Sequence, residues 1–196
     1  MIYVPSGPAW FPPSQCLWTS PVPITGKTIL GPLYPVDLRD FFRDGLRISP
    51  AILETLVQGL RSLAQGQPSI ADIKEMIWAI SAMDPKKRDL IPLVPCNILP
   101  VRRVRHSSAE VSLQKCGSNF SVVDRTKLAD IFRDHVGFLD FSLEEVRQLD
   151  PFLQALDLSK KFLSCVCTEE TACSDDGVLD MDLTQEFNDR AYYLLR

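Results

Sequence analysis

Large apolar residues return every three or four positions between residues 36 and 83, the period of a helix with one buried face. Asp37 is placed to cap a first helix whose apolar positions are Leu38, Phe41, Phe42 and Leu46. Ser49-Pro50 offers a hydroxyl N-cap followed by proline at the first helical position. The face beyond it reads Ile52, Leu53, Leu56, Val57, Leu60 and Leu63, up to a stop at Gly66. Ser69, with Asp72 three residues on, opens a third helix with the stripe Ile70, Ile73, Ile77 and Ile80, ended by Asp84-Pro85. Three amphipathic helices on short connections predict a helical subdomain over 36–83.

The period then changes to two. Val111 and Leu113 alternate with Glu110, Ser112 and Gln114, and Phe120 and Val122 flank Ser121. The turn formers Cys116-Gly117-Ser118-Asn119 lie between, which predicts a β-hairpin near 109–123 with one wet face. Ile98 to Val101 predicts a further strand, held to a sheet edge because Pro100 has no N–H to give a ladder. Helical signals return with Asp124 before Leu128, Ile131 and Phe132, a Ser142–Glu145 capping box, and Asp150-Pro151 before Phe152, Leu153 and Leu156. Leu183, Phe187, Ala191 and Leu194 share one face of a last helix. The expected fold is α+β and mainly helical: the helical subdomain, followed by a small antiparallel hairpin or sheet packed with helices over 84–196.

Residues 1–35 carry Pro5, Pro8, Pro12, Pro13, Pro21, Pro23, Pro32 and Pro35, which predict an extended arm and forbid a helix. Trp10, Phe11, Leu17 and Trp18 are too many large apolar groups for a free linker. The arm is expected to dock, with at least one of the two tryptophans on the 36–83 block; the alternative dock is a neighbouring domain outside the chain.

Composition adds exclusions. Of 196 residues, 45% are apolar and 23% charged, which suits a packed core, and the formal net charge of -4 is too mild for a nucleic-acid binder. No stretch nears the roughly 18 apolar residues that span a bilayer, and the start lacks the basic residues of a signal peptide. The expected setting is the cytoplasm, or the nucleus, with six cysteines as reduced thiols. Charge is uneven. Lys86, Lys87, Arg88, Arg102, Arg103 and Arg105 cluster in the middle of the chain, whereas eight carboxylates and no lysine or arginine lie between Glu169 and Asp189.

Candidate chemistry fails on named residues. Gly26-Lys27-Thr28 has Pro21 where a phosphate-binding loop needs its first glycine. Cys165, Cys167 and Cys173 are one ligand short of a structural zinc site. His106 and His135 sit in no nucleophile motif. No catalytic residue, cofactor or metal is expected. The pairs Pro5/Pro8, Pro32/Pro35 and Pro92/Pro95 match a polyproline docking pattern, which 15 prolines produce by chance. Basic residues 86–105 lack the interleaved aromatics that stack bases.

The run Phe138-Leu139-Asp140-Phe141-Ser142-Leu143-Glu144-Glu145-Val146-Arg147-Gln148-Leu149, then Pro151-Phe152-Leu153-Gln154-Ala155-Leu156, resembles a segment of very large fungal proteins similar to plant NO VEIN and animal sacsin. Leu38-Arg39-Asp40-Phe41-Phe42 and Phe120-Ser121-Val122-Val123-Asp124-Arg125 resemble the same downstream region, and Tyr3-Val4-Pro5 to Gly26-Lys27 the linker into it. Such proteins carry a histidine-kinase-type ATPase module further forward. None of its residues can be placed here: Asp175-Asp176-Gly177 has Leu179 where that module's loop has a second glycine. The resemblance implies an interior piece of a larger protein, and the proline-rich start and uncapped final helix point the same way. The expected function is a non-enzymatic scaffold or protein-interaction segment, not an enzyme, whose partner is another protein or a neighbouring domain. A hydrolase-like enzyme with an unrecognised site, or a weak nucleic-acid binder through 86–105, are the alternatives.

Overall fold

The computed structural model describes residues 1–5, 9–105, 108–168 and 181–194. The fold is α+β and mainly helical, with its largest sheet small and antiparallel.

The arm is not a simple extended strap. Strands β1 (Ile2–Val4) and β2 (Ala9–Phe11) pair antiparallel, and β3 (Cys16–Leu17) runs parallel to β4 (Thr28–Ile29). Ile2, Val4, Cys16, Trp18 and Leu30 then bury with Phe42 and Ile48 in a small apolar cluster. Trp18 meets the Phe42 ring at 5.5 Å between centroids, and Tyr34 meets it at 4.8 Å. Leu17 and Ile24 face the other way, into the main core.

This docking overrides the first helical signals. Instead of one helix after Asp37 there is a 3-10 turn at Val36–Leu38 and a π-turn at Phe41–Gly45, closed by the Leu46 N–H on the Phe41 carbonyl at 3.2 Å. Phe42 turns inward to Trp18, while Leu38 and Phe41 stay exposed. Ser49-Pro50 opens no helix either. The Ser49 carbonyl accepts from Trp18 N–H at 3.0 Å, and Ala51 N–H donates to the Thr19 carbonyl at 2.7 Å. Residues 49–51 are thus held extended by the arm, and α1 starts only at Leu53 (Leu53–Ala64). Gly59 lets the arm lie on α1, since a Cβ there would stand 3.0 Å from Ile24 Cγ2.

The helix α2 (Ile70–Ser81) follows its local code. Ser69 Oγ accepts from Asp72 N–H at 3.1 Å, as a capping serine should. Its buried stripe is Ile73, Ile77 and Ile80, widened by Met76 and Ala79. Past the short α3 (Lys87–Leu90), β5 (Leu99–Arg105) pairs antiparallel with β6 (Ser108–Gln114). Val111 and Leu113 therefore belong to a hairpin whose other arm is β5, not Phe120–Val122. Pro100 sits in the central strand of a sheet whose order is β6-β5-β7, with β7 at Phe138–Leu139, and not at an edge. The strand β7 (Phe138–Leu139) is only two residues long and pairs with Val101 and Arg102. The missing N–H of Pro100 points to the side where β7 has already ended, and its carbonyl accepts from Asp140 N–H at 2.7 Å.

Residues 120–122 extend the sheet beyond β7. Ser121 N–H donates to the Gly137 carbonyl and its carbonyl accepts from Leu139 N–H, both at 2.9 Å. Helix α4 (Thr126–Phe132) follows, but Asp124 does not cap it; that carboxylate accepts from Ser164 N–H at 3.1 Å and from the Ser164 hydroxyl. The Ser142–Glu145 capping box is present at the start of α5 (Leu143–Gln148). Helix α6 (Asp150–Ala155) drives Phe152 and Leu153 into the core, α7 (Leu163–Val166) closes the far side, and α8 (Met181–Leu194) exposes Leu183 and Phe187. Ala191 and Leu194 carry no described side chains. One apolar core joins Leu56, Leu60 and Ile77 to Leu99, Val101, Leu139 and Phe152, so it runs without a break across residue 84.

Candidate functional site

Strand alternation divides the sheet into two faces. Leu99, Val101 and Leu139 point into the core and are buried. Arg102, Val104, Ala109 and Phe138 share the opposite face, because Arg102 pairs with Phe138 and Val104 with Ala109. This second face forms the bottom of an open cleft of about 750 Å³. Helix α4 and the residue that ends it wall it with Thr126, Ala129, Asp130 and Arg133, and the cap and first turn of α5 close one end with Ser142, Leu143 and Glu145.

Charge at the cleft is organised around Asp140. This carboxylate is nine-tenths buried and accepts from Lys74 Nζ at 2.7 Å on one oxygen. On the other it accepts from Arg102 Nε at 2.7 Å, with the Arg102 terminal nitrogen at 2.6 Å. Lys74 also stands 5.0 Å from the Phe141 ring centroid. Arg133 pairs with Asp130, and Glu145 accepts from Ser142 N–H. The cleft thus sets three cations against three carboxylates and is close to neutral. Arg102 has five donors in a rigid fork, of which Nε–H is hydrogen-bonded to Asp140 while a terminal nitrogen stands in ion-pair contact with the same oxygen. Its side chain is 56% exposed, so the remaining donors face the cleft from a fixed position.

Sequence reasoning singled out Arg102 but missed Asp140 and Lys74. A readable signal existed, since Asp140 is a lone carboxylate inside the apolar run Phe138–Phe141, where an unpaired charge would be costly. Lys86, Lys87, Arg88 and Arg103 do not gather with Arg102. Lys86 pairs with Asp84 at 2.7 Å, Lys87 with Asp157, and Arg88 lies near Asp89 at 3.4 Å. The Lys87 ammonium holds the Asp157 carboxyl below its usual range. Arg103 faces the other side of the sheet, donates to the Asn119 carbonyl at 2.8 Å and lies against Gly137, where a Cβ would stand 2.8 Å from its Nε. The backbone of Arg105 is in register with that of Ser108 at the end of β5, and its side chain lies outside the described residues.

The aromatic candidates also separate. Trp18 is buried at 6% exposure, Phe11 is half-buried against the same cluster, and Trp10 is 62% exposed beside Tyr3. A soluble quencher applied to single-tryptophan variants should reach Trp10 almost as freely as free tryptophan, and Trp18 several-fold less. Trp78 is half-buried and should fall between them. Equal quenching of Trp10 and Trp18 would contradict the docked arm.

His135 is exposed and lines a polar cavity of about 170 Å³ with Arg103, Asn119 and Asp134; no serine or cysteine lines it. His106 and Cys173 lie outside the described residues. Cys16, Cys96, Cys116, Cys165 and Cys167 are free thiols, and burial pushes the thiols of Cys116 and Cys16 up. Among the described residues no group of three His, Cys, Asp or Glu could hold a metal, and no helix is long and apolar enough to cross a membrane. Residues 54–167, which contain the cleft, match the family model described as "Domain of unknown function (DUF8348)". No curated protein and no solved structure matches the chain.

Proposed function

The chain belongs to the DUF8348 family, and we propose that it is a non-enzymatic protein-interaction module whose cleft receives an extended segment of a partner protein. One observation carries this reading: an apolar floor of Val104, Ala109, Val123 and Phe138 beside an arginine held in place by a buried carboxylate. Floor side chains of this kind bury a partner's apolar residues. The free donors of Arg102 suit the carbonyls of an extended chain, and the near-neutral charge balance does not select for polyanions.

The test is selection of peptides from a random displayed library on the wild-type chain, followed by affinity measurement on variants. Ala129→Arg fills the cleft from α4, and Trp10→Ala changes a distant surface. Selected peptides should lose at least tenfold in affinity on Ala129→Arg and none on Trp10→Ala, with both variants keeping the wild-type circular dichroism. Peptides that bind Ala129→Arg as well as wild type, or failure to select any, would overturn the reading.

A further inference from the structure

Among the described residues, strand β6 is paired on one side only. The Gln114 carbonyl faces β5, where it accepts from Ile98 N–H at 3.2 Å. Backbone direction alternates along an antiparallel ladder, so Ser108, Glu110, Ser112 and Gln114 bond inward. Ala109, Val111 and Leu113 turn their N–H and C=O groups to the outer edge, and among the described residues no backbone group pairs with them. Folded proteins guard such an edge with charged side chains, lysine above all, with proline, a bulge or a covering element, and the one charge on β6 is Glu110. Strand β6 contains neither lysine nor proline, and its register with β5 runs unbroken over all seven residues.

The same strand is complementary to itself. Laid antiparallel on its own copy about Val111, it pairs Ala109 with Leu113 and Val111 with Val111 on the cleft face. On the opposite face it pairs Glu110 with Ser112 and Ser108 with Gln114. Every outward backbone group then meets another, giving about six new hydrogen bonds. Apolar residues meet apolar ones, polar meet polar, and no like charges face each other. A two-residue slip in one direction would set Glu110 opposite Glu110, which is unfavourable. A slip in the other direction leaves Ser108 without a partner residue. The best register is therefore the one with full overlap.

We propose that the outer edge of β6 is the interface of a homodimer, formed by antiparallel pairing with β6 of a second copy of this chain about a two-fold axis at Val111. Symmetric pairing of one patch with itself is the commonest way that soluble chains close an assembly. The result joins two three-stranded sheets into one, with both clefts on the same face.

Sedimentation of the full chain over a concentration series tests this. The wild type should be dimeric in the micromolar range. Val111→Lys, which sets two ammonium groups against each other across the axis, should weaken self-association at least tenfold while leaving the circular dichroism unchanged. Val111→Cys should form a cross-linked dimer under mild oxidation in a background with Cys165 and Cys167 changed to serine, because paired Cα atoms at such a position lie within disulfide reach at about 5.5 Å. A wild-type chain that stays monomeric to about 100 micromolar would overturn the proposal. So would a dimer that survives Val111→Lys, which would place the interface elsewhere.

Discussion

Asp140→Asn lowers the stability of the fold by about 2–3 kcal/mol, which for a chain of this length is a drop of about 5–10 °C in Tm. The substitution keeps the shape of the side chain, so no cavity confounds it. What it removes is the one negative charge between Lys74 and Arg102, whose nitrogens both lie within 2.7 Å of its oxygens. Asp140 is 9% exposed, Lys74 26% and Arg102 56%. The full cost of breaking a buried pair is about 3–5 kcal/mol, and water at Arg102 screens part of it. Arg102→Ala costs less than Asp140→Asn, because Asp140 keeps Lys74. Urea unfolding of the two variants measures both. Equal losses would mean that Lys74 contributes nothing to holding the carboxylate.

Phe152→Ala has a larger effect, about 3–5 kcal/mol, a large fraction of the 5–15 kcal/mol that holds a typical domain. Phe152 is fully buried, on the helix that packs against α2 and α3. Its ring is therefore shared by the helical half and the half that contains the sheet. Removing it leaves a cavity whose walls belong to several elements. Phe152→Leu restores most of the volume and costs less than about 1.5 kcal/mol. Both values come from urea unfolding followed by tryptophan fluorescence, with Trp78 packed against the same core as a reporter. A Phe152→Ala variant within about 1 kcal/mol of wild type would show a loosely packed core at α6. A loss of the helical signal alone, with the sheet retained, would show that the helical half and the sheet do not share the main core that joins them in the structure.

Local chemistry was readable wherever the partners of a group lie within one turn of it. The Ser69 cap of α2 and the Ser142–Glu145 box of α5 close on residues three positions away, so the sequence carries both halves of the bond. The stripe Ile73, Ile77 and Ile80 likewise records the buried face of its own helix. The two-residue period of 110–114 was also correctly a strand. What it did not contain was the partner: the pairing with β5 and not with 120–122 depends on where β7 and the core stand.

The failures share the opposite cause. Ser49-Pro50 is a sound helix start in isolation, but Trp18 and Thr19 take the hydrogen bonds of that segment first. Leu38 to Leu46 has a helical period, but burying Phe42 against Trp18 is worth more than a regular turn there. Pro100 argues for an edge strand, yet a two-residue neighbour lets it sit in the middle. The cleft is the clearest case. Lys74, Arg102 and Asp140 are separated by tens of residues and come from α2, β5 and the end of β7; only the packing of α2 on the sheet brings the two cations to that one carboxylate. By itself the sequence determined the fold class, the helices with self-contained caps and the buried face of each, because those rest on interactions between near neighbours in the chain. Only the tertiary structure decided which strands pair, where the arm docks and which charges meet in the cleft, because those rest on contacts whose two halves are far apart in sequence and whose energies compete with the local signals.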